Sequence, residues 1–311
     1  MSAERSIWQR WGWVVRWLGT AAGIAYIATL IDPDEVKQAF GRLSIGALVL
    51  AIALVAGNVV AGAARWRVLL SAYGALTRPD LWRATQLYFI SFFYNNFLPG
   101  AVAGDVVRGV VTRDVFGERG ATAGLAVVLV ERALGLFGVF FLLAIGVAAA
   151  GSGFDTGGLW VWSAIGIGGS LALVLALPFS RRLSRILPGP LRRIAERVPE
   201  LSSYGAFAIA ALLSVLTQVL VALAGYVLLH AIEPRVGLGA SLLIVPLAAA
   251  TTFLPITVGG AGAREAVYVT LGARLFQMPE SDALAASLAL WLAHLVVGAC
   301  GGIVQLVERT R

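Results

Sequence analysis

The chain has 311 residues, of which 59% are hydrophobic and 13% charged, with a formal net charge of +7. A soluble domain carries roughly 25% charged residues, so a water-soluble globular fold is excluded. One lysine (Lys37), one cysteine (Cys300) and two histidines (His230, His294) leave no P-loop, no internal disulfide and no Cys/His metal cluster, and no cofactor is expected.

A membrane-crossing helix needs about 20 apolar residues. The first such stretch, 13–31, has no small-residue cleavage site behind it and reads as a retained span rather than a signal. A loop carrying Asp32, Asp34, Glu35, Lys37 and Arg42 leads to a second span, 44–64. Residues 84–98 are different. They end on Tyr94, Asn95 and Asn96 and run into Pro99-Gly100, followed by Gly104, Asp105 and Arg108. This is an apolar stretch broken at its tip, predicted as a re-entrant hairpin over about 81–117. The next span, 121–150, holds Glu131-Arg132. Adjacent helical residues point about 100° apart, so each requires a partner elsewhere in the bundle.

After a span at 158–179 comes a linker, 180–203, with Arg181, Arg182, Arg185, Arg192, Arg193 and Arg197 against Glu196. It is expected on the inner leaflet, held by anionic lipid; nucleic acid is not an expected partner. A span at 204–231 follows. Residues 239–258 then break at Pro246 and Pro255 and reach Gly259, Gly260 and Gly262 ahead of Arg264-Glu265, which predicts a second re-entrant hairpin over about 239–275. The last span is 283–307, with His294 mid-helix and Cys300 as a small packing residue. Trp8, Trp11, Trp13, Trp17, Trp66 and Trp82 fall at span ends, where indoles anchor at the interface.

Arginine placement sets the topology. With both broken stretches returning to their own side, Arg65, Arg67, Arg78, Arg83, Arg113, Arg119 and the linker arginines are cytoplasmic, as are both termini, in line with the positive-inside bias. Were both stretches to cross, the linker cluster would be exported. The expected fold is therefore an all-α integral membrane protein with six crossings and two re-entrant helical hairpins.

The two hairpins are repeats of one another. Phe97-Leu98-Pro99 through Arg108 lies 156 positions ahead of Phe253-Leu254-Pro255 through Arg264, with Phe, Leu, Pro, Val, Gly and Arg in register. Three crossings per half is an odd number, so the halves, 1–157 and 158–311, are expected as inverted-topology repeats. Broken backbone at membrane depth must be buried in protein or line a wet cavity, and two such hairpins meeting near the midplane form a binding site in many transporters.

Candidate binding residues follow from that geometry: Gly104, Asp105, Arg108, Glu131, Arg132, Asn96, Gly260, Gly262, Arg264 and Glu265. Arg108 and Arg264 either grip a lipid phosphate through two parallel charge-assisted bonds or pair with Asp105 and Glu265 to fasten their hairpins. Glu131 either forms a structural ion pair, for instance with Arg108, or meets a cationic headgroup or a coupling proton. Asn95 and Asn96 either cap the break or touch ligand. His294 is either a satisfied bundle residue or a proton carrier.

Pro99-Gly100 with Gly104-Asp105 and Arg108, then Glu131-Arg132, then Gly259-Gly260-Ala261-Gly262-Ala263-Arg264-Glu265, together resemble the lysylphosphatidylglycerol synthetase transmembrane family. That is the flippase-like module that fronts the multiple peptide resistance factor and also occurs as stand-alone membrane proteins. The resemblance implies lipid translocation: fused members move aminoacylated phosphatidylglycerol to the outer leaflet, and stand-alone relatives are linked to polyprenyl-phosphate sugar pathways. The chain ends at Arg311 without the soluble aminoacyl-transfer domain, so aminoacylation by it alone is not expected.

The leading expectation is an inner-membrane lipid flippase of a bacterium or archaeon, not an enzyme. Its partner would be a lipid with an anionic phosphate headgroup, with a separate synthase as a further possible partner. Two alternatives are an enzyme acting on a lipid-linked headgroup with Glu131 or Glu265 as base, and a membrane scaffold for a soluble synthase.

Overall fold

A computed structural model describes residues 7–30, 32–98, 103–150, 158–186, 188–252, 257 and 260–309. Among these residues the chain is helical throughout, with no strand. In order come α1 (Ile7–Leu30), α2 (Pro33–Gly41), α3 (Ile45–Ala72), α4 (Leu81–Phe97), α5 (Ala103–Val111) and a 3₁₀ segment (Arg113–Arg119). They are followed by α6 (Gly120–Ala150), α7 (Leu159–Ala176), α8 (Ser180–Leu183), α9 (Gly189–Arg197), α10 (Tyr204–Ile232), α11 (Leu238–Thr251), α12 (Ala263–Phe276) and α13 (Glu280–Arg309).

Helix starts follow local chemistry. Ser44, Asp80 and Ser203 each accept a first-turn backbone N–H, from Ala47 (3.1 Å), Arg83 (2.7 Å) and Ala206 (3.2 Å), which satisfies donors that a helix N-terminus leaves orphaned. Five helices, α3, α6, α7, α10 and α13, are long and apolar enough to cross a membrane. The expected span at 13–31 overlaps α1, which ends at Leu30 and is not among those five.

α3 and α10 form the central pair, α4 lies along α13, and α11 lies along α6. Glycines make the closest crossings. A Cβ on Gly301 would sit 2.0 Å from the Phe89 carbonyl oxygen, and one on Gly146 would sit 2.6 Å from that of Leu242. Small residues let apolar helices approach to backbone contact, the main source of cohesion where lipid is as apolar as the side chains.

Three expectations are corrected here. Cys300 is exposed; its neighbour Gly301 makes the tight contact instead. Trp66 is fully buried rather than interfacial, while Trp17 and Trp82 are exposed. Helix α11 also continues through the predicted break at Pro246. A mid-helix proline strips the carbonyl four residues earlier of its partner. Here that carbonyl belongs to Leu242, and it packs against Gly146 of α6, close enough that a Cβ there would lie 2.6 Å away, so it faces protein and not lipid.

The two ends of α13 mark the two ends of the bundle. At one, Glu308 bonds Arg83 of α4. There also the Leu76 N–H donates to the Val115 carbonyl (2.9 Å) and the Ser202 N–H to that of Ala72 (2.7 Å). Leu76 precedes α4 and Val115 follows α5, so this helix pair begins and finishes at the same end. At the other end Asp282 bonds Arg42, and Glu233 lies within the field of both. Glu233 precedes α11 and Asp282 follows α12, so that pair begins and finishes there. Residues 99–102, 253–256 and 258–259, which hold Pro99-Gly100, Pro255 and Gly259, lie outside the described residues.

Candidate functional site

The first helix pair feeds a buried ionic cluster. Asp105 and Arg108, three apart on one face of α5, are joined by a bond from Arg108 Nη2 to Asp105 Oδ1 (2.7 Å). Arg108 Nη1 donates to Glu131 Oε2 on α6 (2.9 Å). Glu131 Oε1 also accepts from Arg65 Nη2 on α3 (2.7 Å) and the Tyr88 hydroxyl on α4 (2.7 Å). Arg132 Nε donates to Asp105 Oδ2 (2.6 Å). Glu131 and Arg132 thus find separate partners, as their angular separation requires, and Glu131 pairs with Arg108.

Asp105, Arg108, Glu131 and Arg65 are all buried. The Arg108 guanidinium carbon lies 4.3 Å from the Tyr88 ring centroid and 5.3 Å from that of Trp66, which adds cation–π attraction in a desolvated setting. Arg65 corrects the charge map: it sits inside the bundle, bonded to Glu131, and is not part of a cytoplasmic loop. It lies one residue past the expected end of the second span, and α3 continues eight residues beyond that end because Arg65 and Trp66 have buried partners. Sequence reasoning missed both Arg65 and Tyr88; their spacing on separate helices carried no local signal.

Gly104 and Asn95 set the angle between α4 and α5. A Cβ on Gly104 would lie 1.9 Å from the Ser91 carbonyl oxygen, and the Gly104 N–H donates to Asn95 Oδ1 (2.9 Å). Asn95 is therefore the capping residue. Asn96 Nδ2 donates to the Phe92 carbonyl within α4 (2.8 Å).

The second helix pair presents a simpler arrangement. Gly260 and Gly262 both adopt φ of 82°, the left-handed region that glycine enters without steric cost. Glu265 Oε2 accepts the Gly262 N–H (2.7 Å), and its Oε1 accepts Arg264 Nε (2.8 Å). Arg264 keeps 17% of its side chain exposed, with its guanidinium carbon 5.8 Å from the Trp291 ring centroid.

Arg108 and Arg264 line adjoining cavities, not one. Arg65, Arg108, Glu131 and Arg132 border a cavity of about 220 Å³. Arg264, Asn96, Tyr268, Trp291 and His294 border one of about 300 Å³. Asn95 and Gln218 belong to both walls. Arg264 and Trp291 also border a third, largely apolar cleft of about 250 Å³, closed on one side by Ile24 of α1. His294 Nδ1 bonds the Leu290 carbonyl (2.8 Å) and its ring stacks on Phe92.

The linker folds into α8 and α9, with Arg192 bonded to Glu196 (2.7 Å) and an open pocket of about 450 Å³ bordered by Arg182, Arg185, Glu196 and Glu200.

Comparison with known proteins agrees with this membrane architecture. No curated protein matches the chain. The family described as the lysylphosphatidylglycerol synthase TM region matches residues 14–302, nearly the whole length, and the chain belongs to that family.

Proposed function

We propose that the chain is a flippase that moves a phosphate-bearing lipid between leaflets by alternating access. In this reading six helices cross the membrane, and the α4–α5 and α11–α12 pairs are re-entrant hairpins in two inverted-topology halves. Three facts support that arrangement. The pairs begin at opposite ends of α13. Shifting α3, α4 and α6 by 156 residues gives 201–228, 237–253 and 276–306, close to α10, α11 and α13. The contacts are also exchanged symmetrically, α4 with α13 and α11 with α6, each around a glycine.

The observation that carries the function is the position of Arg264, whose side chain borders both the inner cavity and the cleft beside α1. A guanidinium there can take a phosphate bidentately while the acyl chains remain along the cleft and in lipid. Glu265 orients it. The Asp105–Arg108–Glu131 cluster keeps the facing hairpin rigid and the field positive, since three arginines face two carboxylates among the described residues. Rocking of one half on the other would open the site to each leaflet in turn. The chain transports rather than catalyses in this reading, downhill or coupled to an ion. The membrane is a bacterial or archaeal cytoplasmic membrane, with both termini and the arginine linker on the inner face against anionic lipid, where a separate synthase could supply substrate.

The test is the rate of headgroup exposure in proteoliposomes. Arg264→Ala should lower it at least tenfold with the protein still folded; rates equal to wild type would remove Arg264 from the transport path.

A further inference from the structure

Resting on the flippase reading, the geometry points to the class of headgroup: we infer that the cavity beside Arg264 takes an anionic phosphate headgroup rich in hydroxyls and rejects one that carries a positive charge. Arg264 is the only charged side chain among the described residues of its wall. The rest of the polar lining is neutral: Asn95, Asn96, Gln218, Thr252, Tyr268 and His294. No acid comes from residues 99–102, 253–256 or 258–259, which hold none in the sequence.

The nearby carboxylates are already taken. Glu265 accepts from Arg264 and from the Gly262 N–H. Asp105 and Glu131 in the adjoining cavity are held by Arg65, Arg108 and Arg132. An ammonium group entering here would meet one guanidinium directly, three more behind it, and no unpaired carboxylate. Like charges in a low-dielectric site repel strongly, and a buried charge needs a partner.

Hydroxyls fit the neutral wall. Amide side chains both donate and accept. His294 Nδ1 faces the Leu290 carbonyl and so donates, which leaves Nε2 of the neutral ring as an acceptor. Tyr268 is 1% exposed, and its hydroxyl has no hydrogen-bond partner among the described residues. A buried polar group left unsatisfied is a natural place for a ligand hydroxyl to bond.

Three lipids separate the charge requirement from the hydroxyl requirement: phosphatidylglycerol (anionic, two headgroup hydroxyls), phosphatidylmethanol (same charge, none) and lysyl-phosphatidylglycerol (net cationic). Native mass spectrometry of the full chain in an equimolar mixture reads binding, and headgroup exposure in proteoliposomes reads transport. Phosphatidylglycerol should be retained at least tenfold over lysyl-phosphatidylglycerol and severalfold over phosphatidylmethanol. Gln218→Glu should narrow the first ratio. Equal or greater retention of the lysyl lipid overturns the charge requirement, and parity with phosphatidylmethanol overturns the hydroxyl requirement. Selective retention with none of the three lipids translocated would instead defeat the flippase reading and leave the binding selectivity standing.

Discussion

The α4–α5 and α11–α12 helix pairs share one sequence frame, Phe-Leu-Pro through Gly to Arg, and put it to different use. In the first, Arg108 is locked between Asp105 and Glu131 and buried; in the second, Arg264 pairs with a single carboxylate among the described residues, Glu265, and borders two cavities. The divergence lies in their neighbours. Shifted by 156 residues, Arg65, Tyr88, Asp105 and Glu131 correspond to Val221, Ile244, Ala261 and Ser287, whereas Glu265 and Trp291 correspond to Gly109 and Gly135. Four polar partners in one half become small or apolar residues in the other. Val221 then lines the open cavity where Arg65 fills space in the first half. The same sequence frame thus carries a buried ionic cluster in one pair and, in the other, a guanidinium held on one edge by Glu265 and bordering two cavities.

That contrast fails if the first cluster is not structural. Glu131→Gln leaves Arg65 and Arg108 buried without their carboxylate, and removing one partner of a buried ion pair costs roughly 3–5 kcal/mol. Glu265→Gln keeps an oxygen that can accept the Gly262 N–H and loses only a partly open pair, worth about 1 kcal/mol. Thermal unfolding of the two variants in detergent should rank them in that order. Comparable melting curves would mean that the two helix pairs do not differ in this way.

The matching glycines sharpen the comparison. At Gly104 a Cβ meets the Ser91 carbonyl oxygen at 1.9 Å, whereas at Gly260 the nearest atom is the Thr252 methyl at 2.9 Å, with φ at 82°. Backbone cannot rotate away as a side chain can. Gly104→Ala should therefore cost about 1–3 kcal/mol by overpacking. Gly260→Ala should cost about 1 kcal/mol, mostly from forcing alanine to a positive φ. Reversal of that order in unfolding measurements would show that α4 and α5 are not in backbone contact.

The smallest effect belongs to the end of the bundle from which α11 starts. The hydrogen bond from the Arg235 guanidinium holds the Glu233 carboxyl down to about 2, from an ordinary value of 4.5. A depressed carboxyl adds stability above its unfolded value and loses it as pH falls through the folded one. Glu233→Gln should lower the melting temperature slightly at pH 6, and the difference should vanish as pH drops from about 4.5 toward 2. A difference that persists unchanged in acid would point to packing rather than charge.

Much of the fold was legible along the chain. Long apolar runs and the 156-residue echo act locally or by count, and the long helices lie close to where the apolar runs sit. Asp105–Arg108 was legible because three residues is a helical contact distance. Arg65, Tyr88 and Trp66 were not. Each lies on a helix whose own composition says only that it is apolar or ends at an interface, and their shared role exists only where α3, α4, α5 and α6 converge. Pro246 misled for a related reason: the carbonyl it frees packs against Gly146, 100 positions away, and so is kept from lipid.

Membrane residence and the helical class were thus determined by sequence alone, because hydrophobic length and periodicity are properties of a single segment. Which of two equivalent arginines is buried and which is reachable was decided only by tertiary structure. A guanidinium's availability depends on how many carboxylates, rings and hydroxyls converge on it from other helices, and convergence is not written in any one of them.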